Sequence, residues 1–141
     1  MFLLDTNVIS ELRKAGSAKA DSNVVAWART VAAGSLFISA MTVLELELGV
    51  LQLERRDAMQ GAILRDWLQK HVIPAFGDRV LPIDTAVAQR CAHLHVPDPR
   101  AERDALIAAT ALVHGMTVVT RNVEDFAPTG VALINPWTSP S

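Results

Sequence analysis

Four acidic residues, Asp5, Glu45, Asp104 and Asp125, fall where a strand is expected to end or a helix to begin. The apolar run Phe2-Leu3-Leu4 stops at Asp5. Glu45 is expected in the first turn of a helix entered after a second such run, and Asp104 opens the last long helix. Asp125 follows a fourth run, within Thr120-Arg121-Asn122-Val123-Glu124-Asp125. In a parallel sheet the strand ends and helix starts share one rim, and open α/β sheets bind ligands in the crevice outside it. Acids distant in sequence can therefore converge. Carboxylates gathered at one place repel one another and raise each other's pKa unless a cation screens them. Such oxygen donors suit Mg²⁺ or Mn²⁺, and Mg²⁺ keeps waters that exchange for phosphate oxygens. The chemistry indicated is hydrolysis of a phosphate ester. In a two-metal arrangement one ion activates the attacking water and a second, about 4 Å away, stabilises the leaving oxygen.

Each acid also has a plainer reading. Asp5 and Asp104 can cap helices, since an aspartate at a helix N-terminus accepts from free backbone N–H groups and meets the positive end of the dipole. Glu45 lies in Val43-Leu44-Glu45-Leu46-Glu47-Leu48, where an ion pair is the simplest alternative to a ligand role. Glu47, two residues on, points in a different direction and reads as solvated. Glu11 and Glu102 read as helix surface residues, and Asp84 as the cap of its helix.

The elements that must position these acids are short β-rich runs alternating with helical periodicity. The runs are Phe2 to Leu4, Leu36 to Ser39, Arg79 to Ile83, Thr117 to Thr120 and Ala132 to Ile134. The alternation predicts an α/β fold with a mainly parallel sheet of four to five strands flanked by crossover helices. Ser22 is expected to cap a helix ending near Gly34, and Thr42 a second. Leu51 to Val72 mixes charged and apolar residues at helical spacing, predicting a helical hairpin that stands off the sheet and ends at Pro74. Asp84 caps a helix through about Leu94. Pro97-Asp98-Pro99 connects it to a helix from about Ala101 to Gly115. Ala108, Ala109 and Ala111 on that last helix read as small residues for close packing against the sheet.

Size and composition bound the rest. The chain of 141 residues suits a single domain spanning 1–141, with about 136–141 as a Pro/Ser-rich tail. Half of the residues are hydrophobic and a fifth charged, which argues against disorder. A formal net charge of −2 offers no cationic field, so a polyanion would have to be met by local arginines or by metal. Ten of the thirteen basic residues are arginine, the side chain suited to bidentate phosphate contacts. The single cysteine, Cys91, excludes an internal disulfide and a cysteine-rich zinc site. With Asp5 so near the first residue, no signal-like stretch and no bilayer-length apolar run, the expectation is a cytoplasmic protein without targeting sequence or membrane association.

Taken in order, the motifs resemble the PIN-domain ribonucleases of the VapC type, toxins of bacterial type II toxin–antitoxin systems. The resemblance rests on Leu4-Asp5-Thr6-Asn7-Val8-Ile9-Ser10-Glu11-Leu12, on Glu45-Leu46-Glu47-Leu48-Gly49, and on Asp104-Ala105-Leu106-Ile107-Ala108-Ala109-Thr110-Ala111 leading through Gly115 to Val119-Thr120-Arg121-Asn122. Asn135-Pro136-Trp137 is similar to one branch of the family. The resemblance implies an Mg²⁺- or Mn²⁺-dependent endoribonuclease with metal held by Asp5, Glu45 and Asp104, and a fourth acid after a later strand. Here the sequence departs from the fullest pattern. Asn122 stands just past Thr120-Arg121, so either Asn122 or Asp125 completes the site. An amide neutralises no charge, and a second metal should then bind more weakly. Thr6 and Asn7 beside Asp5, and Thr120 opposite, can orient its carboxylate.

The resemblance also implies partners: a cognate antitoxin that blocks the groove, RNA as substrate, and self-association into a homodimer or a toxin–antitoxin hetero-oligomer. Arg13, Lys14, Arg100, Arg103 and Arg121 lie nearest the acids in sequence and can hold flanking phosphates. Apolar residues between Leu46 and Leu68, Trp67 foremost, can receive an antitoxin helix. Competing readings are a catalytically inactive PIN-fold binding module, which Asn122 keeps open, and a haloacid-dehalogenase-like phosphomonoesterase. The latter needs a second acid where Asn7 stands.

Overall fold

The computed structural model describes residues 1–15 and 17–138; the last part of the expected tail, 139–141, lies outside the described residues. Among the described residues five short strands, β1 (Phe2–Leu4), β2 (Leu36–Ser39), β3 (Val80–Leu81), β4 (Thr117–Val119) and β5 (Leu133–Ile134), form one sheet in the order β3-β2-β1-β4-β5. Every pairing is parallel, with Leu3 opposite Phe37 on one side and Val118 on the other. The sheet is the α/β arrangement expected from the alternating pattern. β1 lies at its centre, and its residues alternate between two apolar layers. Leu3 packs with Ile107, Val118 and Phe126, whereas Leu4 packs with Val8, Ile38 and Val119.

The helices are α1 (Thr6–Leu12), α2 (Ser22–Thr30), α3 (Ala40–Arg56), α4 (Ala58–Trp67), α5 (Ile73–Phe76), α6 (Thr85–Leu94), α7 (Glu102–His114) and α8 (Val123–Phe126). Two caps differ from the sequence expectation. Asp21, not Ser22, caps α2 by accepting from the N–H groups of Asn23 and Val24 at 2.9 and 3.2 Å. Ser39, not Thr42, caps α3 through a 2.9 Å bond from the Met41 N–H. In each case an equally good acceptor stands nearer the strand or loop, and the helix takes the earlier start. α3 therefore begins at Ala40, Glu45 lies in its second turn rather than its first, and Thr42 is fully buried inside the helix.

The hairpin also differs in its first arm, which is α3 itself from Ala40, turning at Asp57 into α4. Gly61 allows the arms to close: a Cβ there would lie 2.4 Å from the Glu54 Cα. Pro74 does not end the second arm. A π-helical turn over Leu68–Val72 widens the helix just before the proline, which sits in the first turn of α5, and the helix stops at Gly77 with φ 51°. A widened turn shifts the hydrogen-bond register ahead of a residue that has no N–H to give. On α7, Ala108 and Ala111 face the sheet as expected, but Ala109 packs with Ala105 against Val87 and Cys91 of α6.

Candidate active site

At the carboxyl edge of β1 the chain turns directly into α1, and Asp5 is the cap residue between them, with φ −71° and ψ 158°. Its N–H still pairs with Val119 O at 2.9 Å, so the residue extends the ladder while its side chain leaves the sheet. Oδ1 accepts from the Thr6 N–H at 2.8 Å, and Oδ2 from the Thr120 hydroxyl at 2.7 Å and Asn7 Nδ2 at 3.4 Å. Asp5 is thus a helix cap and a rim carboxylate together. Thr120 is fully buried beyond the end of β4, and its oxygen also accepts from the Asn122 N–H at 2.9 Å.

The remaining acids reach the same rim from other elements. Thr6 Oγ1 donates to Glu45 Oε1 at 2.8 Å, so Thr6 orients Glu45 with its hydroxyl and Asp5 only through its backbone. Glu45 Oε2 lies 3.8 Å from Arg103 Nη1. Asp104 stands in the first turn of α7, half-buried, within the electrostatic reach of Asp5, Asp125 and Glu45. Burial first, then those three neighbouring carboxylates, holds its pKa above the ordinary range. Burial likewise pushes Asp5 up; the bonds from Thr120 and Thr6 pull down, and Glu45 and Asp125 add repulsion. Asp125, although exposed on α8, acts on both. Asn122 is exposed and contributes its backbone N–H to Thr120. The structure therefore brings Asp5, Glu45, Asp104 and Asp125 into one field and leaves the Asn122 side chain beside it.

The donor set is chemically uniform: carboxylate oxygens, mutually repelling, with one arginine at their margin. That composition fits a hard divalent cation better than a soft metal, and phosphate oxygens only through such a cation. Among the described residues no three acidic, histidine or cysteine side chains close on a single chelating point. Asp5 and Glu45 each accept from a different threonine hydroxyl, Thr120 and Thr6 respectively.

Two acids set aside as solvent-facing have partners. Glu47 receives both Nη groups of Arg65 at 2.7 and 2.6 Å, which holds its carboxyl below the usual range. Glu11 accepts from the Asp21 N–H at 2.8 Å and from Lys14 Nζ at 3.1 Å, and its carboxyl is lowered as well, the Asp21 bond contributing most. The Glu11–Lys14 spacing of three was a readable signal, although Lys14 lies just past the end of α1; the Arg65 and Asp21 contacts arise only from packing. Of the basic residues near the rim, Arg103 faces Glu45 and Arg121 lies over the Trp137 ring at 5.4 Å, while Arg13 lies over Trp67 at 5.6 Å.

Comparison with known proteins places these features in company. The PIN domain profile matches residues 2–130. The chain is 37% identical to the VapC ribonuclease Y4jK of Sinorhizobium fredii, over 97% of this chain and 98% of that protein. It is 37% identical to the toxin FitB of Neisseria gonorrhoeae, over 97% and 99%. The solved structure of FitAB bound to the IR36 DNA fragment superposes with a TM-score of 0.88 at 36% identity, covering 100% of this chain and 99% of the matched one.

Proposed function

This chain belongs to the PIN-domain family, and on that footing we propose that it is a metal-dependent endoribonuclease, the toxin of a type II toxin–antitoxin pair. The observation that carries the reading is the rim itself: buried Asp5, tied to Thr120, shares a field with Glu45, Asp104 and Asp125 contributed by three other elements. The relatives named a ribonuclease and a toxin support the activity and the role. Asp5, Glu45 and Asp104 would hold Mg²⁺ or Mn²⁺, with Asp125 rather than Asn122 as the fourth acid, because Asp125 already acts on Asp5 and Asp104. When bound, the ion supplies positive charge that offsets the acids and polarises the scissile phosphate. Thr120 and Thr6 keep Asp5 and Glu45 in place for it, a supporting role that raises ligand precision. Arg103 and Arg121 meet the phosphates on either side without reading sequence.

The chain acts in this reading as one PIN domain in the cytoplasm, paired with itself and restrained by an antitoxin. Among the described residues no helix is long and apolar enough to cross a membrane. The test is cleavage of labelled RNA by the purified chain with Mg²⁺, Mn²⁺ or EDTA, beside Asp5→Asn and Asp104→Asn. Cleavage should require metal, and each variant should lose about 100-fold or more, beyond the loss typical of groups that only orient a ligand. Activity retained by both variants would overturn the site. RNA bound but uncut by the wild type under every metal condition would mark an inactive binding module.

A further inference from the structure

A groove of about 440 Å³ opens between α2 and the segment after β5, lined by Asn23, Trp27, Thr30, Ile134, Asn135 and Pro136 among others. It is mostly apolar, yet two side-chain amides stand in its wall in fixed orientations. Asn135 Oδ1 accepts from the Trp137 N–H at 3.0 Å, and Asn23 Nδ2 donates to the Trp137 carbonyl at 2.8 Å. One backbone residue thereby sets both amides in opposite senses. Among the described residues the groups left over are a donor, Asn135 Nδ2, and an acceptor, Asn23 Oδ1. The aromatic wall is Trp27, its ring braced edge-to-face by Phe2 at 5.4 Å between centroids.

The position of this groove ties it to the acids. Asn135 directly follows β5, whose neighbour β4 is followed by Thr120, the partner of Asp5; the Thr120 N–H donates to Ile134 O at 3.0 Å. Asn135 also lines a second concavity with Arg121, Asn122 and Asp125, and Arg121 lies over Trp137. A strand of nucleic acid with its phosphate at the acidic rim would thus pass Asn135 before reaching Trp27. Protein sites that read RNA sequence take unpaired bases, stacking them on aromatic rings and hydrogen-bonding their edges. Pockets of this size with an apolar wall and a few oriented polar groups suit such a ligand.

We infer that this groove is a nucleobase subsite, which takes one unpaired base of the RNA next to the cleaved bond and gives the chain a base preference there. The inference rests on the nuclease reading for the identity of the polymer. Its test is cleavage of a randomised oligoribonucleotide library by the full chain and by Asn135→Asp, which keeps the acceptor for Trp137 but replaces the free donor. The wild type should prefer one base at one position near the cut. The variant should change that preference by about tenfold or more, the effect of one hydrogen bond gained or lost. The added charge should slow cleavage of an RNA abasic at that position too, but the loss on intact RNA carrying the preferred base should exceed it by about tenfold. Equal losses on abasic and intact RNA, or an unchanged preference, would overturn the subsite.

A second measurement separates this inference from the nuclease reading. An oligoribonucleotide carrying 2-aminopurine at that position, bound without metal, should lose fluorescence on stacking, and Trp27→Leu or Asn23→Ala should weaken binding at least several-fold. Fluorescence loss without cleavage by any metal would keep the subsite and remove the nuclease. Cleavage without fluorescence loss or base preference would do the reverse. Protection of the groove by a bound protein partner, with RNA leaving 2-aminopurine unperturbed, would mark a protein-docking surface and overturn the base assignment.

Discussion

Asp5 serves as cap and rim carboxylate together because its two oxygens face different partners, Thr6 N–H on one side and the Thr120 hydroxyl on the other. Removing the second bond isolates its contribution. Thr120→Val should destabilise the protein by about 2 kcal/mol, the scale for a buried bond to a charged group, read by urea denaturation at neutral pH. A change near zero would mean that Asn7 or water replaces the hydroxyl. Asp104 makes the complementary prediction. Unfolded, its carboxyl titrates near 4; folded, burial and its three neighbours hold it higher. The folded state therefore keeps the proton longer than the unfolded one, so stability falls as pH rises through that interval and stays lower above it. Without metal at neutral pH, Asp104→Asn should melt above the wild type, with a flatter dependence on pH above about 4. Added Mg²⁺ should raise the Tm of the wild type more than that of the variant. A variant that melts lower in EDTA would show a stabilising carboxylate and contradict a cluster of mutually repelling acids.

The helical hairpin shows how an element depends on a contact that propensity does not display. α3 and α4 meet at Gly61, where any Cβ would strike the Glu54 backbone, and Arg65 of α4 reaches back to both Glu47 and Glu54 of α3. Gly61→Ala should force the arms apart and cost about 1–3 kcal/mol, despite alanine's better helix propensity. A thermal melt that rises instead would mean that the arms relax without loss. Arg65→Ala should cost less, because ion pairs that keep part of their surface in water contribute little. The periodicity from Leu51 to Val72 predicted the hairpin but not its start. Ser39 and Thr42 are both capping residues, and only the end of β2 determines which one takes the role. The proline signal failed for a similar reason: it measures a local preference, and the π-helical turn at Leu68–Val72 absorbs the missing N–H.

At the scale of the molecule, the chain carries a net charge of −2 and still has to hold a polyanion in the proposed role. Affinity for RNA should then come from metal and a few arginines. In EDTA the dependence of log K on log salt should be shallow, a slope of about −1 to −3, since each single-strand phosphate neutralised contributes roughly −0.7. A much steeper slope would reveal a basic surface that the arginine positions do not suggest. The alternation of short apolar runs with helical periods sufficed to establish the parallel α/β sheet, because burial on both faces requires that pattern. The same order placed Asp5 at a strand end, Asp104 in a first helical turn, and Glu45 and Asp125 a few residues past such points, hence near one rim. Sequence determined that much by itself, since side-chain period and connection handedness are local rules. Tertiary structure alone decided which hydroxyl holds which acid, that Glu47 is paired, and that Trp137 orients Asn23. These are contacts between elements 18 to 115 residues apart, and their geometry depends on packing that no local rule encodes.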